Sequence, residues 1–75
     1  PEKKEMPDLK SFSDEEQLII RALLANNRQL VIDEISWRTN LSVSKVAALL
    51  LTLEFKGVVA AAPGKVYRLT MRTDD

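Results

Sequence analysis

Residues 42–57, SVSKVAALLLTLEFKG, constrain this chain more than any other stretch. Ser42 stands where an N-cap hydroxyl accepts from a free backbone N–H of a helix's first turn. Gly57 stands where a helix closes through a left-handed residue, a conformation glycine adopts without steric cost. Between them Val43, Val46, Leu49, Leu50 and Leu53 recur at helical spacing and predict a buried face. Ser44, Lys45, Ala48 and Thr52 fall opposite. A helix marked this clearly at both ends needs other elements to cover its apolar side, and what its outer side touches is the functional question.

Seventy-five residues make one domain near the lower limit for a self-supporting core. The chain has no Cys and no His. This removes disulfides, zinc sites of the Cys/His type and every His-dependent catalytic scheme. No catalytic constellation can be assembled from what remains, so the sequence argues against an enzyme, and it calls for no cofactor and no metal. A reducing compartment suits a chain without Cys. The longest apolar run, residues 46–51, is far short of the ~20 residues of a membrane span, so no membrane contact is expected.

The net charge is zero but unevenly spread. Residues 1–34 hold five basic and eight acidic groups, a net −3, whereas residues 35–72 hold six basic and one acidic, a net +5. The basic half leaves room for a modest phosphate-contacting surface.

Residues 1–12 carry two prolines and alternating charges without periodicity, and read as a linker or disordered lead-in, with Met6, Leu9 and Phe12 as residues able to dock on the body. Ser13-Asp14-Glu15-Glu16 is a capping box. Its carboxylates suit a helix N-terminus, which accounts for the acidic cluster without a metal. The first helix follows, with Leu18, Ile19, Ala22, Leu23 and Ala25 as its periodic set and Ile20 and Leu24 as surplus apolar residues off that face. Asn26-Asn27 ends it. Residues 29–31 read as a short extended piece, and residues 32–39 as a second helix with Ile32, Ile35, Ser36 and Thr39 inward and Asn40 closing it. A tight turn joins it to residues 42–57, making a helix-turn-helix. After Gly57 the period changes to that of strands, and Pro63-Gly64 marks a β-hairpin turn. Residues 71–75 form a polar tail. The order helix, strand, helix, helix, strand, strand is that of a winged helix-turn-helix: mainly α with a small antiparallel sheet (α+β), three helices plus a hairpin wing, over residues 13–70.

The runs SDEEQLIIRAL, VIDEISWRTNLSVSKVAALLLTLEFKGVV and PGKVYRL resemble the C-terminal winged-helix domain of the DprA or Smf DNA-processing family. Asp33-Glu34-Ile35, Arg38-Thr39, residues 53–57 and Pro63-Gly64 carry the likeness. The resemblance implies a bacterial, cytoplasmic protein that handles incoming DNA in natural transformation. It also implies that the main activity sits in a Rossmann-like domain absent from these residues, with the winged helix an accessory module for duplex contact or for contact between domains or subunits. Trp37 stands where the family has a small or basic residue, Asn40 where it has Gly, and Ala60 and Ala61 where Arg is common.

For DNA the candidate residues are Ser42, Ser44, Lys45, Ala48 and Thr52 on the third helix and Lys65, Arg68 and Arg72 on and after the wing. The helix offers no Arg, Asn or Gln for bidentate base reading, so the expectation is weak, salt-sensitive duplex binding in the nonspecific range of roughly 10⁻⁴ to 10⁻⁶ M. The alternative is a protein-interaction module, contacting its parent domain or another copy of itself through Trp37, Arg38, Ile20, Leu24 and Leu51. A stand-alone transcriptional regulator ranks below both, for want of a dimerisation helix and a more basic recognition helix. Tyr67 and Leu69 share one face of the last strand and are expected in the core.

Overall fold

The computed structural model describes residues 12–70. Three helices, α1 (Asp14–Leu24), α2 (Ile32–Thr39) and α3 (Val43–Phe55), pack with three short strands, β1 (Gln29–Val31), β2 (Val59–Ala62) and β3 (Val66–Leu69). The sheet is antiparallel throughout, in the order β1-β3-β2. β3 is the middle strand: Tyr67 lies opposite Leu30 of β1 and Ala61 of β2. The three-residue β1 is thus an edge whose partner comes from the far end of the fold. This is the α+β winged helix-turn-helix that the order of elements predicts. Met6, Leu9 and Arg72, with most of the expected lead-in and tail, lie outside the described residues.

The helix ends follow the sequence signals. Ser13 Oγ accepts from the Glu16 N–H at 3.1 Å, and the Ser13 N–H donates to Glu16 Oε1 at 2.9 Å, closing the capping box. Ser42 Oγ accepts from the Lys45 N–H at 3.1 Å. At the other end of α3, Gly57 has φ +79°, its N–H donates to Glu54 O, and the Val58 N–H donates to Leu53 O. These two bonds satisfy carbonyls that the helix leaves open, and Leu53 and Val58 are both buried beside them. Asn27 and Asn40 take left-handed backbone, as expected, and so do Arg28 and Lys65, which the sequence did not flag.

The core is Phe12, Ile19, Ile20, Leu23, Ile35, Val46, Leu50, Leu53, Val58, Val59 and Leu69, with Leu30, Ile32, Leu41, Leu49 and Tyr67 packed against it. Phe12, grouped by sequence with the lead-in, is a core residue. Three further expectations are corrected. In α1 the inward stripe is Glu16, Ile19, Ile20 and Leu23, not the set containing Leu18 and Ala25, which are exposed. Ile20 is fully buried and cannot serve as an interface residue. Burial of Ile19, Ile20 and Leu23 sets the rotation of α1, and Glu16, one turn before Ile20, lies on the same side with its carboxylate accepting from the Ser13 N–H and 3.4 Å from Lys56 Nζ. In α3, Val46, Leu50 and Leu53 are fully buried, but Val43, read as inward, is exposed. It begins the first turn, beyond the point where α1 and α2 cover the helix.

Candidate interface on the third helix

Thirteen residues of α3 carry its buried stripe at positions 46, 50 and 53, so the opposite face is set by helical geometry. At 100° per residue, Ser44, Ala47, Ala48, Leu51 and Phe55 gather there. All five are exposed, Leu51 at 66% and Phe55 at 95% of their full surface. Leu51, Thr52 and Phe55 line an apolar depression on this face. Glu54 and Val43 border the stripe on one side; Lys45 and Thr52 border it on the other.

The polar groups placed here by sequence are partly committed to the protein itself. Ser42 Oγ is the N-cap acceptor. Thr52 Oγ1 donates to Ala48 O at 3.3 Å within the helix. Lys45, the one cation of the helix's outer side, has its Nζ 3.3 Å from Glu15 Oε1 of α1. Both side chains are well exposed, so this is a surface ion pair that lowers the positive potential at Lys45 modestly. Ser44 and Ala48 are exposed as expected, yet neither brings a charge.

On the wing, Lys65 sits at the hairpin turn with φ +61°, and its carbonyl accepts from the Ile32 N–H at 3.0 Å. Arg68 lies in the middle strand between Gln29 and Ala60. Both side chains are exposed. They belong to the hairpin and are not brought onto the α3 stripe by any described contact.

Trp37 stands out from α2 with 78% of its surface exposed. Beside it Arg38 Nε is 3.0 Å from Glu34 Oε2, an i,i+4 pair at the surface. Leu24 is partly exposed at the end of α1. Among the described residues, no group of three His, Cys, Asp or Glu is placed to hold a metal ion, and no helix is long and apolar enough to cross a membrane.

Phe55 was missed by sequence, where it read as part of the LEFKG likeness. A signal for it existed. It lies one turn after Leu51 and about 160° from Leu53 around the helix, so a buried Leu53 turns Phe55 outward.

The family model of the DprA winged helix domain matches residues 2–65, most of the chain. The chain belongs to this family. The likeness read from the capping box, the second helix and the LEFKG turn is therefore shown, together with an accessory, DprA-type winged helix as the unit described. No curated protein and no solved structure matches the chain. Within this DprA winged helix domain, the outer face of the third helix is mostly apolar, with Lys45 at its border, and Lys65 and Arg68 are exposed on the hairpin.

Proposed function

We propose that this domain is a non-catalytic accessory module of a bacterial DNA-processing protein active in natural transformation, and that it works by protein contact. The outer face of α3 packs on another domain of the same polypeptide. One observation carries this reading: Leu51 and Phe55 are held out to solvent on a helix whose single outer cation, Lys45, is bound by Glu15. A contiguous apolar stripe of this kind is a contact surface. With Leu51 and Phe55 as its two large side chains, it is small beside the ~800 Å² per partner of a standard stable interface. So small a patch holds a free partner poorly. A partner on the same chain is different, because a tether raises its effective concentration towards the millimolar range. Trp37, exposed on α2, is a second anchor of the type that dominates interfaces.

The test has two arms. In the whole protein carrying this domain, Phe55→Asp should open the junction between domains to limited proteolysis without lowering the melting temperature of the domain. The isolated chain should show no salt-sensitive duplex binding at about 100 μM, the weak end of the nonspecific range. Duplex binding that is lost in Lys45→Ala would refute the reading, since it would place α3 on DNA. Concentration-dependent dimers in sedimentation that vanish in Phe55→Asp would replace the parent domain with a second copy.

A weak duplex contact through the wing is the second reading, favoured by the exposure of Lys65 and Arg68 on one hairpin. In the same titration it requires Arg68→Ala to weaken binding and Lys45→Ala to leave it unchanged.

A further inference from the structure

Within its span α3 carries two charged side chains, Lys45 in the first turn and Glu54 in the last. Each stands at the end of the helix that repels it. The aligned peptide dipoles leave partial positive charge at a helix N-terminus and partial negative charge at its C-terminus. Lys45 is compensated inside the domain, by Glu15 Oε1 at 3.3 Å. Glu54 is not. Its side chain is exposed, with no ion-pair or hydrogen-bond partner among the described residues. A carboxylate set against the local field, with nothing inside the fold to offset it, points to a contact that the folded unit does not itself contain.

The neighbours of Glu54 define the chemistry of that contact. Leu51, Glu54 and Phe55 stand at i, i+3 and i+4, so their side chains meet on one patch of the helix surface. Phe55 is 95% exposed, and with Leu51 and Thr52 it lines the apolar depression. Glu54 therefore stands at the edge of the depression, beside an uncovered ring. A carboxylate, an aromatic face and the negative end of a helix all attract a cation. A guanidinium suits the three together: it stacks on a ring, forks two N–H groups onto a carboxylate, and is more weakly hydrated than an ammonium. Lys56, two residues on, does not fill this place. It lies about 160° from Glu54 around the helix. Its Nζ is 3.4 Å from both carboxylate oxygens of Glu16 and 5.0 Å from the Phe12 ring centroid.

We propose that the segment docking on the α3 face presents an arginine beside apolar side chains. The guanidinium binds the Glu54 carboxylate across the Phe55 ring, and an apolar neighbour fills the depression lined by Leu51, Thr52 and Phe55. This rests on the docking reading above and gives the occupant a chemical identity, a basic and apolar segment of the same polypeptide. A second copy of the domain fits less well. Two such faces related by a two-fold axis meet with the Glu54 edge of one along the Glu54 edge of the other. That edge of α3, with Val43, Ala47 and Glu54, carries no cation.

The test is limited proteolysis of the junction between domains in the whole protein, read against sodium chloride concentration. Cleavage tracks the open population when closing is fast. In the unmodified protein, cleavage should quicken as salt rises from about 0.05 to 0.5 M, because the ion pair is screened. Glu54→Gln should raise cleavage at low salt about two- to five-fold and flatten its dependence on salt. Glu54→Lys should raise it further, by setting like charge against the arginine. In the isolated 75-residue chain both variants should unfold at the same urea concentration as the unmodified chain or a higher one, since each removes a carboxylate from the wrong helix end. A lower urea midpoint for Glu54→Gln would assign the carboxylate to the domain's own stability and overturn the proposal. Unchanged cleavage in Glu54→Gln, or cleavage that slows with salt in the unmodified protein, would overturn it too. If Phe55→Asp still opens the junction in that case, the docking reading stands without the arginine. If Phe55→Asp leaves the junction closed, the docking reading fails as well.

Discussion

Ile20→Ala and Leu51→Ala change apolar residues that look equally surplus in sequence, and the structure separates them sharply. Ile20 is fully buried among the residues that join α1 to the rest of the core, whereas Leu51 is two-thirds exposed. Truncating Ile20 removes three carbon groups, worth about 2.4 kcal/mol at ~0.8 kcal/mol each. The cavity left behind brings the cost to about 3–4 kcal/mol, within the range for buried isoleucine. A domain of this size has about 3–9 kcal/mol in total, so the variant loses a third of its stability or more. At roughly 4–8 °C per kcal/mol the melting temperature should fall by at least about 12 °C. Leu51→Ala should stay within about 0.5 kcal/mol of the parent, because nothing packed is removed and alanine favours helix. Urea and thermal melts followed by circular dichroism at 222 nm measure both. Equal stability of the two variants, or an Ile20→Ala unfolding free energy within about 1 kcal/mol of the parent, would show that α1 is not rotated as described.

Other outcomes follow from the same contacts. Gly57→Ala meets no atom within 4 Å, so its cost is the left-handed backbone alone, about 1 kcal/mol net in a urea melt. Ser13→Ala should cost about 1 kcal/mol through loss of the capping box, with Ser13→Asp recovering most of it in the same assay. Glu15→Gln frees Lys45 from its partner; if duplex binding is then gained, it should appear in a salt-dependent anisotropy titration and vanish in Glu15→Gln/Lys45→Ala. Phe55→Ser should leave the unfolding free energy from a urea melt within about 0.5 kcal/mol of the parent, since the ring is 95% exposed.

Much of the fold was legible because its signals are local. Ser13 with Glu16, Ser42, Asn27, Asn40 and Gly57 each act within one turn of the chain, and each does what its residue type predicts. The hairpin was readable for the same reason, from one Pro-Gly pair between two runs of strand period. The rotation of α1 was not. Leu18, Ile19, Ile20, Leu23 and Leu24 make that helix apolar round most of its girth, so periodicity alone does not choose the inner face. The choice is made by packing: Ile19, Ile20 and Leu23 join a core whose members from Ile35 to Leu69 lie well downstream in sequence. The candidate site divides in the same way. Exposure of Ser44, Lys45, Ala48 and Leu51 follows from helical period, but the pairing of Lys45 with Glu15 depends on how two helices cross.

The central place of β3 also orders the assembly of the fold in time. Helices close through neighbours in sequence and form early, whereas β1 has to wait for a strand nearly forty residues downstream. A chain growing from its amino end can complete α1, α2 and α3 while both outer strands still lack their shared middle partner. Until residues 66–69 arrive, Val59 has no strand pairing and the core has no Leu69. The last strand is therefore the latch of the domain: shortening the chain by those few residues removes one strand in name and all three in effect.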